Sequence, residues 1–85
     1  MSEFIAREIQ LAAVVLAEEL DFSAAARRLN IEPLVLHAEM QELATRLEFS
    51  FFKESDGRIE VTEEGRILID AFRSFLKQTG EMTEE

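Results

Sequence analysis

The stretch Ser23-Ala24-Ala25-Ala26-Arg27-Arg28-Leu29-Asn30-Ile31-Glu32-Pro33-Leu34-Val35-Leu36-His37-Ala38 decides the fold. Ala24 to Leu29 is short and Ala-rich, which predicts a helix, and Ser23 is placed as its N-cap because a hydroxyl can accept from the free amides of the first turn. Asn30 and Ile31 make a tight connection. Glu32 then stands at a second cap and Pro33 at the first helical position, where its missing amide costs nothing. From there Leu36, Met40, Leu43 and Leu47 step by four, three and four, giving one buried stripe, with Glu39, Gln41, Glu42 and Arg46 on the remainder. Two helices joined by a short turn, the second with a polar outer face, form a helix-turn-helix.

On the N-terminal side, Glu3 to Leu20 carries Ile5, Ile9, Ala12, Ala13 and Leu16 at spacings of three and four with no Gly or Pro, so it is a helix preceding the pair. On the C-terminal side, Phe49, Phe51 and Phe52 lead into Ser55-Asp56-Gly57, and Ile59 alternates with Val61 around Glu60. Asp-Gly between short alternating runs signals a hairpin. Thr62 caps a last helix with Glu63 and Glu64 in its first turn, where carboxylates meet the positive end of the dipole. This helix runs to about Thr79 and stops at Gly80. The expected fold is mainly α: a winged helix-turn-helix with a three-helix bundle and small hairpin wing over residues 1–61, a long C-terminal helix over 62–79, and a frayed acidic tail over 80–85. The core is assigned to Phe22, Leu29, Leu43, Leu47 and Phe52.

The chain has 85 residues and no cysteine, so packing must hold a small core without disulfides or thiolate metal sites. Its longest apolar run, Leu11 to Ala17, is far short of the roughly 20 residues that cross a bilayer, and Glu3 stands where a signal peptide is basic. A cytoplasmic location without membrane contact is expected. The net charge of −9 opposes nucleic acid at long range, because affinity for a duplex rests on Lys and Arg at the phosphates. The segments that would meet DNA are themselves acidic: Glu32 to Glu48 carries four Glu and one Arg, and Lys53 to Glu64 five acids and two bases. Only Arg27 and Arg28 make the second helix locally positive.

His37 is the sole histidine, with no second ligand or nucleophile to build a metal site or triad, and reads as a solvated side chain. No cofactor motif is present, and so small a domain does not enclose a deep pocket; an enzyme is not expected. Arg27, Arg28 and Arg58 can reach phosphates or remain ordinary surface cations. Glu39 and Glu42 fit a solvated acidic face better than cytosine readers lacking nearby cations. In the last helix Leu68, Phe72, Phe75 and Leu76 form a stripe beside Ile67 and Ala71, an apolar arc wider than a small core requires. Dimerisation through that arc, anchored by Phe72 and Phe75, stands against the alternative that it folds back on the first helix.

Ala17-Glu18-Glu19-Leu20-Asp21-Phe22, Ala25-Ala26, Arg28-Leu29-Asn30-Ile31 and Leu43, followed by Leu47, Phe51-Phe52, Val61-Thr62 and Gly65, resemble the N-terminal domain of LysR-type transcription regulators over about residues 5–76. The resemblance implies transcription regulation and a last helix that serves as linker and homodimer interface through Ile67, Leu68, Ala71, Phe72, Phe75 and Leu76. It also implies DNA contacts from Ser23, Arg27, Arg28, Pro33, Leu34, His37, Gln41, Lys53 and Arg58. Family members usually carry Ser then Arg where His37 and Ala38 stand, and Arg where Glu54 stands. DNA binding is therefore expected to be weak or altered. The alternative is a protein-interaction module that kept the scaffold and pairs with another LysR-type regulator. The family's effector domain follows the linker helix, and the sequence leaves open a free-standing product or a fragment.

Overall fold

The first helix, α1 (Arg7–Glu19), is enclosed on most sides in the computed structural model, which describes residues 5–56 and 58–79. Ile9, Ala12, Ala13, Val14, Val15 and Leu16 are all buried in it, so it is apolar over most of its circumference rather than along one stripe. Around it pack α2 (Phe22–Leu29), α3 (Pro33–Leu47), α4 (Glu63–Thr79) and one strand of a hairpin formed by β1 (Phe52–Ser55) and β2 (Arg58–Val61). The order and elements are those of a winged helix-turn-helix, as the sequence predicts. The helix begins at Arg7 rather than at the expected Glu3, since Ile5 and Ala6 precede it and Ala6 is its N-cap; the expected stop and tail at 80–85 lie outside the described residues.

The cap of α2 differs from expectation. Asp21, extended at φ −158° and ψ 124°, precedes the helix and its carboxylate accepts from the Ala24 amide at 3.1 Å, which places Ser23 inside the first turn. A carboxylate accepts the amide and also meets the positive end of the dipole, so it displaces the hydroxyl two residues on. Asn30 ends α2 at φ 62°, a left-handed conformation that Asn tolerates well. Pro33 opens α3 as expected.

The core also shifts by one residue at the wing. Phe51, not Phe52, is wholly withdrawn from solvent with Val14, Leu16, Leu36, Leu43 and Leu76, while Phe22, Leu29, Leu47 and Phe52 line its edge half-buried. Phe52 begins the ladder opposite Val61, and Phe51 sits just before it, where its carbonyl accepts the Thr62 amide at 3.0 Å. Thr62 joins wing to α4: its hydroxyl donates to the Ser50 carbonyl and accepts from the Gly65 amide, both at 3.0 Å. Gly65 lies against the Phe51 backbone, and any Cβ there would overlap the Phe51 carbonyl oxygen. That close approach fixes the phase of α4, so that Ile69, Phe72 and Leu76 on the same side are buried in the core.

Candidate nucleic-acid interface

Leu34, Ala38, Gln41 and Thr45 are the exposed residues opposite the buried Leu36, Met40 and Leu43, and at 3.6 residues per turn they share an arc of about 60°. This outer face of α3 carries no charge. Glu39, expected there, is turned toward α1, where burial pushes its carboxyl above the usual range and the neighbouring Glu8 and Glu42 push it further. Glu42 is at the margin with Arg46 at 3.4 Å. The acidity of the segment therefore lies on the flanks of the helix rather than on its outer face.

The other expected contacts lie on α2, the start of α3 and the wing, and two of their four charges, Arg28 and Lys53, face carboxylates. Ser23 and Pro33 are exposed at the first turns of α2 and α3. Arg28 is held by Glu18 at 2.8 Å and Glu19 at 3.0 Å, and Glu18 also takes Arg73 of α4 at 2.8 Å. Partial burial raises the Glu18 carboxyl, but hydrogen bonds from Arg73 and Arg28 outweigh it and hold the group below its ordinary range. Arg27 is exposed. On the wing, Lys53 sits opposite Glu60 and Arg58 opposite Ser55, with Asp56 at φ 54° opening the turn. A cross-strand opposite charge offsets Lys53.

His37 is exposed but not simply solvated: its ring stacks on Phe22 with centroids 3.8 Å apart and planes 12° from parallel. The pair borders a cleft of about 220 Å³ between α3 and the wing, whose lining includes Gln41, Phe52 and Glu54. The cleft brings the Glu54 carboxylate beside the outer face of α3. In sequence, Phe22 and His37 are fifteen residues apart in different helices, and nothing short of the packing of α2 on α3 pairs them.

The apolar arc of α4 divides in two. Phe72 and Leu76 complete the core of the chain and Leu68 is half-buried against it, whereas Ile67, Ala71 and Phe75 are exposed at successive fourth positions. Ile67 is 71% exposed and Phe75 37%. Ile69, which the sequence reading passes over, takes the inner position instead.

The model of the bacterial regulatory helix-turn-helix proteins of the lysR family matches residues 10–66, from α1 into the first turn of α4. The chain belongs to that family. CbnR, a LysR family transcriptional regulator, is 25% identical, with a TM-score of 0.85 over 89% of this chain and 26% of that chain. The CbnR DNA-binding domain in complex with DNA matches with the same identity and TM-score, over 89% of this chain and 87% of that domain. Oxidized OxyR of Corynebacterium glutamicum is 25% identical, with a TM-score of 0.86 over 93% of this chain and 26% of OxyR. The chain thus spans about a quarter of the length of the CbnR and OxyR chains. No curated protein matches it by sequence.

As a LysR-family helix-turn-helix domain, the chain has the parts that place a helix in a major groove: an exposed second helix of the pair, a preceding helix beside it and a wing. Family and structural neighbours are transcription regulators rather than enzymes. Among the described residues no helix is long and apolar enough to cross a membrane.

Proposed function

We propose that this LysR-family domain binds duplex DNA through α3 with few phosphate contacts, as a homodimer joined by α4, in a cytoplasmic transcription regulator. The observation that carries the reading is the state of the cations around α3. Arg28 is tied to Glu18 and Glu19, Lys53 faces Glu60, and the outer face of α3 has no charge, so Arg27 and Arg58 are the main cations offered to phosphates. Each phosphate contact contributes through release of a counterion, and a pair of contacts gives weak binding at physiological salt. The exposed Ile67, Ala71 and Phe75 supply a self-complementary apolar strip for a twofold dimer. The test is titration of fluorescent genomic-fragment pools at about 150 mM salt, the range where few phosphate contacts leave little affinity. Micromolar or weaker binding is expected, and nanomolar selective binding overturns the charge argument.

One observation favours a second reading. Leu34 is 81% exposed and Val35 44% exposed at the start of α3, next to acidic flanks, which suits a protein partner such as another LysR-type regulator. Co-sedimentation of the chain with such a regulator, and loss of that regulator's DNA binding, would establish this reading in place of the first.

A further inference from the structure

We propose that the cleft between the end of α1, strand β2 and α4 binds a small monocarboxylate with an apolar body, its carboxylate held by Arg66. The cleft is open and measures about 570 Å³, a volume within the roughly 300–1,000 Å³ of small-molecule sites. None of its lining residues belongs to α2 or α3, so the inference stands apart from the DNA-binding reading. It is also clear of the apolar strip proposed for assembly. At 3.6 residues per turn, Arg66 and Arg73 stand about 140° and 160° around α4 from Ala71, the middle residue of that strip.

The lining combines an apolar wall with one uncommitted cation. Leu20, which ends α1 and is 45% exposed, forms the wall with Ile59 and Val61 of β2 and Ile69 of α4. Two arginines enter from α4. Arg73 is bound to Glu18 at 2.8 Å and stands 3.9 Å from Asp70, whereas the exposed Arg66 makes no ion pair among the described residues. A guanidinium in that state offers a carboxylate two parallel N–H donors in one plane, the arrangement that such a ligand meets best. The rim then limits the ligand to a single charge. Glu60 and Asp70, both exposed, line the same cleft and repel a second carboxylate or a phosphate dianion. Lys53, across the ladder from Glu60, offsets it in part but does not line the cleft.

The experiment is a methyl NMR titration of the whole chain with three six-carbon ligands at fixed pH and ionic strength: hexanoate, its neutral amide hexanamide and the dicarboxylate adipate. Hexanoate should shift the Ile59 and Ile69 methyls and leave Ile9, toward the other end of α1, unmoved. An affinity of about 1–10 mM suits so small a ligand in an open site. Hexanamide and adipate should each bind about tenfold more weakly, the first because a charge-assisted hydrogen bond is roughly twice as strong as a neutral one, the second because of the rim carboxylates. In Arg66→Gln, whose fold circular dichroism checks, hexanoate should fall to the level of hexanamide. Lys77→Gln, on the same helix outside the cleft, should bind as the parent does. Hexanamide or adipate bound as tightly as hexanoate, an Arg66→Gln chain that keeps the preference, or no methyl shift at about 50 mM hexanoate overturns the inference. Each of those results leaves the DNA-binding reading standing.

Discussion

At the scale of single residues, the sharpest constraint is Gly65, whose missing side chain lets α4 lie on the Phe51 backbone. Gly65→Ala should lower stability by about 1–3 kcal/mol, the usual cost of overpacking, with urea melts as the check; an unchanged midpoint would mean that α4 does not sit where it is placed. Two carboxylates set the response to acid in opposite senses. Glu39 is held above its ordinary value of 4.5, so its ionised form burdens the folded state, and the burden lifts as pH falls through the raised folded value. Glu39→Gln should therefore stabilise the domain at pH 7 by a few tenths of a kcal/mol, the size of a surface like-charge pair, and the gain should fade in acid. Glu18 is held below 4.5, so its contribution is present above that pH and is lost as pH falls through the lower folded value. Thermal melts of Glu39→Gln at several pH values check the first; a gain that grows toward acid would contradict it.

At the scale of elements, the helices of the pair, the Asp-Gly hairpin and the last helix are legible in the sequence because each has a local cause: a cap, a turn residue or an unbroken apolar period. What was not legible depends on contacts between elements. The phase of α4 is ambiguous while Leu68 and Ile69 are both apolar, and only the approach of Gly65 to Phe51 resolves it. The commitment of Arg28 arises where α1, α2 and α4 meet, and the stack of Phe22 on His37 where α2 meets α3. Glu39 and Glu42 read alike in sequence, yet one is turned to α1 and the other to the helix margin. The division of α4 makes its two roles separable by mutation. Phe72→Ser should cost about 3–5 kcal/mol, a large share of the stability of a small domain, and unfold it on circular dichroism. Ile67→Ser with Phe75→Ser should leave a folded chain that sediments as a monomer where the parent is a dimer. A parent that is monomeric at high micromolar concentration would end the proposed role of α4 in assembly.

At the scale of the whole molecule, a net charge of −9 is carried by a scaffold shared with DNA-bound relatives, and the proposed consequence is binding that depends weakly on salt. Charge placement matters more than the total. Glu54 stands at the cleft beside α3, so Glu54→Arg exchanges a repelling group for a phosphate contact and should steepen the salt slope by about 1. The measurement that tests the central claim most directly is the dependence of DNA affinity on salt for the unaltered chain. With Arg27 and Arg58 as the main cations offered, log affinity against log salt should fall with a slope of about −2 per bound domain, about −4 for the dimer, or shallower; a slope of about −5 per bound domain or steeper would show a phosphate footprint that this surface does not contain.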